Sequence, residues 1–440
     1  MSLDEMLGDA ARFVDKAMAR GADQAEVALM RGASLDVEVE AGRLAGTSRS
    51  QSAGGSIRVL KDDRMGFAYF TRHDQAEAAM ERALQQTRLA PRLPMPLPEP
   101  ADASPVPAAW DDDVASLDPD VAIEKARELV DGVAVDATIA GGIGLSWGME
   151  ALANHNGVAV AERGTMMQAF TSLVLEDGNS NINAWESRSD PRGFNPGSVS
   201  ATVSETVQDL RKPVAAEGGK ADVIFLPAAG GELVMGLIEE AVNGDGAMRG
   251  KSFWSHDLGT QVAHEGLHVA DAPRRADALV QTGHDGEGRV TSDVPILDGG
   301  RLATFLFDTR DGAKHEQAPT GHAVRDGFKS TPGTGTHHTV LEHDVTRPLD
   351  ALIGDVDSGY LVESVLGAHT ANGTTGDFSV TAPNVWRIQN GAIESACKEV
   401  AIGGNLPKLL RRLDGVSDAP KVSPSGRMPA VRFRDVTISA

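Results

Sequence analysis

Apolar residues recur at helical spacing from the first positions of the chain. Leu3, Met6, Leu7, Ala10, Phe13, Val14 and Ala17 fall on one face, Ser2 stands where an N-cap belongs, and Gly21 ends the run. The period then shortens to two. Leu35, Val37 and Val39 share one strand face, and Ile57 and Val59 share another, which predicts short alternating strands. Asp62-Asp63 turns the chain into Met65, Phe67 and Tyr69, and an Ala/Glu-rich stretch over residues 73–89 predicts a helix. Residues 1–90 thus read as a small α+β unit. Seven prolines fall between Pro91 and Pro107. They exclude helix or central strand and predict a semi-extended connector over residues 91–113.

A second unit is expected over residues 114–217. It holds a helix at 118–135, a hairpin over 151–163 turning at Asn156-Gly157, a strand at 167–175, and a helix from Asn195-Pro196-Gly197 to about Arg211 before Pro213. The third unit, residues 218–440, opens with the continuous apolar strand Val223-Ile224-Phe225-Leu226 and a helix over 230–242. From Lys251 to about Ala401 the pattern is mostly short strands and turns. Within residues 359–410 it reads strand, Gly-rich turn, strand, Asn390-Gly391 turn, strand, short helix, with Val380, Val385 and Ile388 flanking Trp386. The fold class is therefore α+β: N-terminal α/β units followed by a β-rich C-terminal domain. No tandem repeat at solenoid spacing is present.

Composition narrows the function classes. A chain of 440 residues exceeds one simple core, so two or three domains are expected. No apolar run approaches the roughly 20 residues that cross a bilayer. The amphipathic first helix lacks the basic-then-apolar pattern of a signal peptide, so a cytoplasmic location without a membrane partner is expected. Cys397 is the sole cysteine, which excludes an intrachain disulfide and a Cys-rich metal site. A formal net charge of −22 argues against nonspecific nucleic-acid binding. The basic group Lys408, Arg411 and Arg412 sits at a predicted helix end, where cations suit the dipole.

One motif invites a catalytic reading. His264-Glu265-Gly266-Leu267-His268 matches HExxH letter for letter. On a helix the two histidines would bind zinc from one face, with Glu265 as general base on the metal-bound water. Gly266 disfavours that helix and Pro273 closes the segment. As a strand, Val262, His264, Gly266 and His268 would share one side, and the two histidines would stand about 13 Å apart. The strand is the expectation. An independent metallopeptidase built on His264, Glu265 and His268, with a third ligand such as His284, is the alternative, and it requires a helix here.

Several blocks together point to a family. They are Asp285-Gly-Glu287-Gly-Arg289, Ile296-Leu-Asp298-Gly-Gly-Arg-Leu302, Thr320-Gly-His322-Ala-Val-Arg325 and Gly376-Asp377-Phe378-Ser379. Weaker similarity includes Ala22-Asp23-Gln-Ala-Glu26-Val27 and residues 59–67. In this order they resemble the TldD/TldE (PmbA) family of peptidase-complex subunits over nearly the whole chain. The family's catalytic TldD-type subunit carries an HExxxH-like zinc motif on the helix after the first long strand of the third domain, and a further cysteine ligand near the C-terminus. Here that helix holds Glu232, Glu239 and Glu240 but no histidine, and residues 417–440 hold no cysteine. Carboxylates alone suit harder cations than zinc. The resemblance therefore implies a TldE (PmbA)-like, noncatalytic subunit with no cofactor of its own and no catalytic or metal-binding residue. Zinc is expected in a TldD-like partner that hydrolyses extended peptides within a closed chamber. This chain would complete the chamber, bind its partner mainly through the third domain, and could form a homodimer when the partner is absent. Strand addition at sheet edges would suit such substrates. A third reading is a regulatory binding protein linked to DNA gyrase modulation, for which acidic charge suits a basic protein surface better than DNA.

Other candidates are weaker. Gly141-Gly142-Ile143-Gly144 lacks the strand–helix context of a phosphate loop. His337, His338 and His343 fall in a Gly/Thr-rich segment that reads as a solvated surface loop, and Glu239-Glu240 as a solvated helix face. Cys397 reads as a packing position. Asp377 and Arg325 are taken as structural or chamber-lining polar residues.

Overall fold

Ser2 and Glu5 form a reciprocal capping box that starts α1 (Leu3–Ala19), and the predicted apolar face buries Met6, Ala10, Phe13, Val14 and Ala17. The structure, a computed structural model, describes residues 1–102, 104–133, 138–174, 181–188, 193–210 and 212–440. The ends foreseen at Val135, Leu175 and Arg211 lie outside the described residues. Strands β1 (Gln24–Glu40) and β2 (Arg43–Lys61) are 17 and 19 residues long, where short strands were expected. The Gly/Ser/Thr-rich stretch 46–55 has little strand propensity of its own, but continuous pairing with β1 holds it in the ladder. Asp62 and Asp63 both take positive φ, the turn that leads into β3 (Arg64–Phe70). Helix α2 (Ala76–Thr87) follows.

β4 (Thr138–Asn154), β5 (Ala159–Val174) and β6 (Asn181–Arg188) complete one antiparallel sheet in the order β3-β2-β1-β4-β5-β6. Residues 1–90 and 114–217, expected as two units, therefore share a single sheet. β1 pairs with β4 from Glu26↔Asn154 to Glu40↔Ala140. The hairpin turns at Asn156-Gly157 as foreseen, but β5 is one strand rather than two. Helices bury one face of the sheet along β1, whereas residues 43–53 of β2 are exposed. Ala25, Val27 and Leu29 lie under α1 and α2, while Ala33, Leu35, Val37 and Val39 lie under α3 (Asp112–Ala115), α4 (Pro119–Asp131) and the segment leading into α5 (Pro196–Leu210).

The Pro-rich segment is no free connector. Met95 and Leu97 are buried against Leu60. Gln24 Oε1 accepts the Leu97 N–H at 2.8 Å, Asn154 Nδ2 donates to the Pro98 carbonyl at 2.8 Å, and the Thr165 N–H donates to the Ala109 carbonyl at 2.7 Å. It is a strap laid along the sheet. Proline keeps it extended and unable to join the ladder.

The C-terminal domain is built on β7 (Gly219–Phe225), which pairs in parallel with Ser358–Val362 and antiparallel with Val431–Ser439 at the centre of an eight-stranded sheet. A helical run over residues 227–241, with one wider turn at Gly231–Met235, packs Leu233, Val234, Leu237 and Ile238 into the largest core. A second sheet contains β8 (Leu267–Asp271), β9 (Val294–Asp298), β10 (Arg301–Leu302) and the strand Thr339–His343. The architecture is α+β with a β-rich C-terminal domain, as the pattern predicted. Among the described residues, no helix is long and apolar enough to cross a membrane.

Gly66 of β3 lies so close to α2 that an added Cβ would stand 1.8 Å from the Ala83 carbonyl oxygen, a backbone atom that cannot swing away. Gly66→Ala should therefore cost about 1–3 kcal/mol through forced separation of strand and helix. Gly46→Ala, with open space around it, should be neutral or stabilise by up to about 1 kcal/mol. Urea midpoints for the two variants test the contrast.

Candidate functional site

The HExxH segment is neither helix nor one strand. Residues 264–266 form a turn, closed by the Leu267 N–H donating to the His264 carbonyl at 3.0 Å, and β8 begins only at Leu267. The strand foreseen over 262–269 thus forms only in its second half, because the backbone folds back at Glu265-Gly266 over the glycine turn Gly299-Gly300. An added Cβ on Gly300 would meet the His264 carbonyl at 2.3 Å. His264 Nδ1 accepts the Gly266 N–H at 3.1 Å and lies 3.2 Å from His343 Nε2. His268 instead sits between Asp298 and Asp344, at 3.2 and 3.1 Å. Glu265 is exposed. His284 belongs elsewhere, held by Glu162 of β5 at 3.2 Å. The helical face that the zincin chemistry requires is not formed, and the three histidines do not converge. Among the described residues, no group of three His, Cys, Asp or Glu side chains has metal-ligand geometry.

The helical run 227–241 presents three glutamates, Glu232, Glu239 and Glu240. Glu232 and Glu240 are exposed, while Glu239 turns inward and accepts the Thr339 hydroxyl at 2.6 Å. Burial raises the Glu239 pKa. The solvated-face expectation therefore fails for Glu239, because that side of the helix packs on the strand Thr339–His343. Oxygen donors without a histidine or thiolate, one of them committed to a hydroxyl, do not fit a zinc ion. The histidine-rich segment is likewise corrected. His343 lies in a strand, and His338 is buried with its backbone N–H donating to Asp271 at 2.6 Å. Burial lowers the His338 pKa. Cys397 is buried in the core, and burial pushes its thiol pKa up. Asp377 is exposed and braces a turn through Thr375 and Asn405.

The strongest convergence of polar side chains lies between the two domains. Arg58 of β2 bonds to Glu26 of β1 and to Glu287 of the C-terminal domain, each at 2.6 Å, and all three side chains are at most 2% exposed. Burial disfavours the Arg58 charge, but the two carboxylates outweigh it and raise its pKa. Glu287 also accepts the Thr309 N–H at 3.0 Å. Arg325 crosses the same interface to Glu26 and donates to the Gly286 carbonyl at 2.5 Å. Gly288 lets this loop reach the sheet. Its φ is +80°, and a Cβ would lie 2.6 Å from Val158.

Beside this network a cleft of about 1220 Å³ opens between the start of β5, the strap, and the C-terminal loops carrying His284 and Phe328. Glu150 of β4 stands directly across from Glu162 of β5 on its wall. Burial among protein atoms pushes the Glu150 pKa up to about 7, Arg325 opposes the shift, and Glu162 and Glu26 add to it. Its side chain still keeps 39% of its surface open to the cleft.

The sequence model for the PmbA/TldA metallopeptidase C-terminal domain matches residues 218–440, and that for PmbA/TldA metallopeptidase domain 1 matches residues 25–87. The chain belongs to the TldD/TldE (PmbA) family. An uncharacterised protein of Methanocaldococcus jannaschii is 25% identical over 94% of this chain and 96% of its own length. The metalloprotease PmbA of Escherichia coli O157:H7 is 24% identical over 89% of this chain and 86% of its own. Among solved structures, TldE from Thermococcus kodakarensis superposes with a TM-score of 0.89 at 24% identity, covering 98% of this chain and all of that one. A Bacteroides thetaiotaomicron protein described as a modulator of DNA gyrase superposes at 0.87 with 23% identity over the full length of both. These structural likenesses establish the fold.

For this family member, sequence reasoning named Arg325 as a chamber-lining or structural residue but missed Arg58, Glu150 and Glu162. A signal was present. Glu26, Glu287 and Arg325 each sit in a separate resemblance block, and three distant blocks carrying opposite charges could have been read as one ionic contact.

Arg58→Leu strands Glu26 and Glu287 without their shared cation and should cost about 3–5 kcal/mol, read as a lowered denaturation midpoint. For Glu150, the folded pKa of about 7 lies above the ordinary 4.5, so the folded state holds the proton more tightly. The stability it contributes is full below about pH 4.5 and is lost as pH rises through about 7. Glu150→Gln should flatten that decline, as followed by melting temperature across pH 5–8.

Proposed function

We propose that this chain is a TldE-like, noncatalytic subunit of a heterodimeric zinc metallopeptidase, completing a chamber in which a TldD-like partner cleaves extended peptides. The observation that carries the reading is the helical run at residues 227–241. It occupies the place where the resemblance puts the zinc motif, yet it offers only glutamates, with Glu239 tied to Thr339. Zinc would then reside in the partner. The turn at His264–Gly266 supports the same reading, since it removes the helix that an independent HExxH enzyme needs. The relatives described as metalloproteases, and the TldE whose fold this chain shares, lend further support.

Zinc content and peptidase activity of the purified chain, alone and mixed with a TldD-like subunit, test the proposal. The expected result is no stoichiometric zinc and no hydrolysis alone, with cleavage appearing in the mixture. Stoichiometric zinc and activity in the isolated chain, both abolished by His264→Ala, would overturn it.

A further inference from the structure

Among the described residues, β5 pairs with β6 between Met167 and Val174. Its first half, residues 159–164, pairs with β4 on one side and faces the strap on the other. The strap is tied at both ends of this stretch. The Leu97 and Pro98 carbonyls accept from Asn156 and Asn154, and the Ala109 carbonyl accepts from Thr165. Between those anchors, among the described residues, no backbone hydrogen bond joins strap to strand. Pro100, Pro105 and Pro107 have no N–H, so this part of the strap is poorly suited to act as the missing strand. A stretch of sheet edge about 20 Å long therefore lines the cleft, walled by the strap and without a backbone partner among the described residues. Exposed edges of this kind are ready templates for another extended chain.

The side chains flanking that edge add a charge preference. Glu162 and Val160 point toward the C-terminal domain, and Glu150 stands directly opposite Glu162. Like charges in that register destabilise a sheet by themselves. Arg325 approaches Glu150 only to 4.0 Å and is shared with Glu26, and His284 engages Glu162 at 3.2 Å. The carboxylate pair thus has unused capacity for a cation at the open edge. We propose that the slot between residues 159–164 and the strap binds an extended peptide as an added strand, with a lysine, an arginine or a free amino terminus seated against Glu150 and Glu162. The proposal deepens the subunit reading above and rests on it for the choice of an extended peptide as occupant.

The test uses the full chain and two labelled octapeptides of alternating Thr and Val, one with a central lysine and one with a central glutamate. Fluorescence anisotropy should give at least tenfold tighter binding of the lysine peptide, and amide hydrogen exchange should slow at residues 159–164. Glu162→Lys should reverse the preference. Glu150→Gln, a milder change, should reduce it should the reversal variant fold poorly. Binding without protection of residues 159–164, or a preference untouched by both variants, would overturn the slot. Failure there alongside partner-dependent peptidase activity would leave the subunit reading standing. Protected, charge-selective binding without such activity would sink the subunit reading and keep the slot.

Discussion

A buried guanidinium shared by two carboxylates from opposite domains holds this molecule in register. Arg58 and Glu26 come from paired positions on β2 and β1, and Glu287 arrives from the C-terminal domain. Such an arrangement gains little net stability over a well-packed apolar contact, because removing three charges from water costs several kcal/mol per ion. Its consequence is specificity. Any sliding or rotation of the domains would leave an unpaired charge in a dry interior, so only one docking geometry is tolerated. Arg325, which bridges Glu26 and the Gly286 carbonyl, adds a second clamp at the same place.

The cleft follows from that docking. The C-terminal domain covers one part of the sheet face, the strap covers the β5 edge loosely, and the space between them is lined by backbone and by the Glu150–Glu162 pair. There Arg325 stands 4.0 Å from Glu150 and His284 bonds to Glu162, so the two facing carboxylates are each held from the C-terminal domain. Among the described residues, His264 and His268 are committed to a turn and to ion pairs, Glu239 to the Thr339 hydroxyl, and Cys397 to core packing.

The elements that could be read from residues alone are those set by local periodicity and turn chemistry. The capping box at Ser2, the Asp62-Asp63 and Asn156-Gly157 turns, the helix beginning at Pro196 and the β-rich C-terminal half all formed as their residues dictate. The length of β2 was not legible, because Gly46, Gly54 and the serines between them carry no strand preference until β1 lies beside them. Nor was the burial of His338 or Glu239 legible. A Gly/Thr-rich segment and a helix with adjacent glutamates look solvated until another layer is packed on top.

By itself, then, the sequence determined the fold class, the extended character of the Pro-rich segment, and the family. These rest on residue types and near-neighbour spacing, which need no tertiary partner to be read. Only the tertiary structure decided that the first two units share one sheet, that His264 and His268 part company at a turn, and that Glu26, Arg58, Glu287 and Arg325 meet. Those outcomes depend on which distant segments share a low-dielectric interior. There, pairing and desolvation act between residues up to 299 positions apart, a separation that no local pattern encodes.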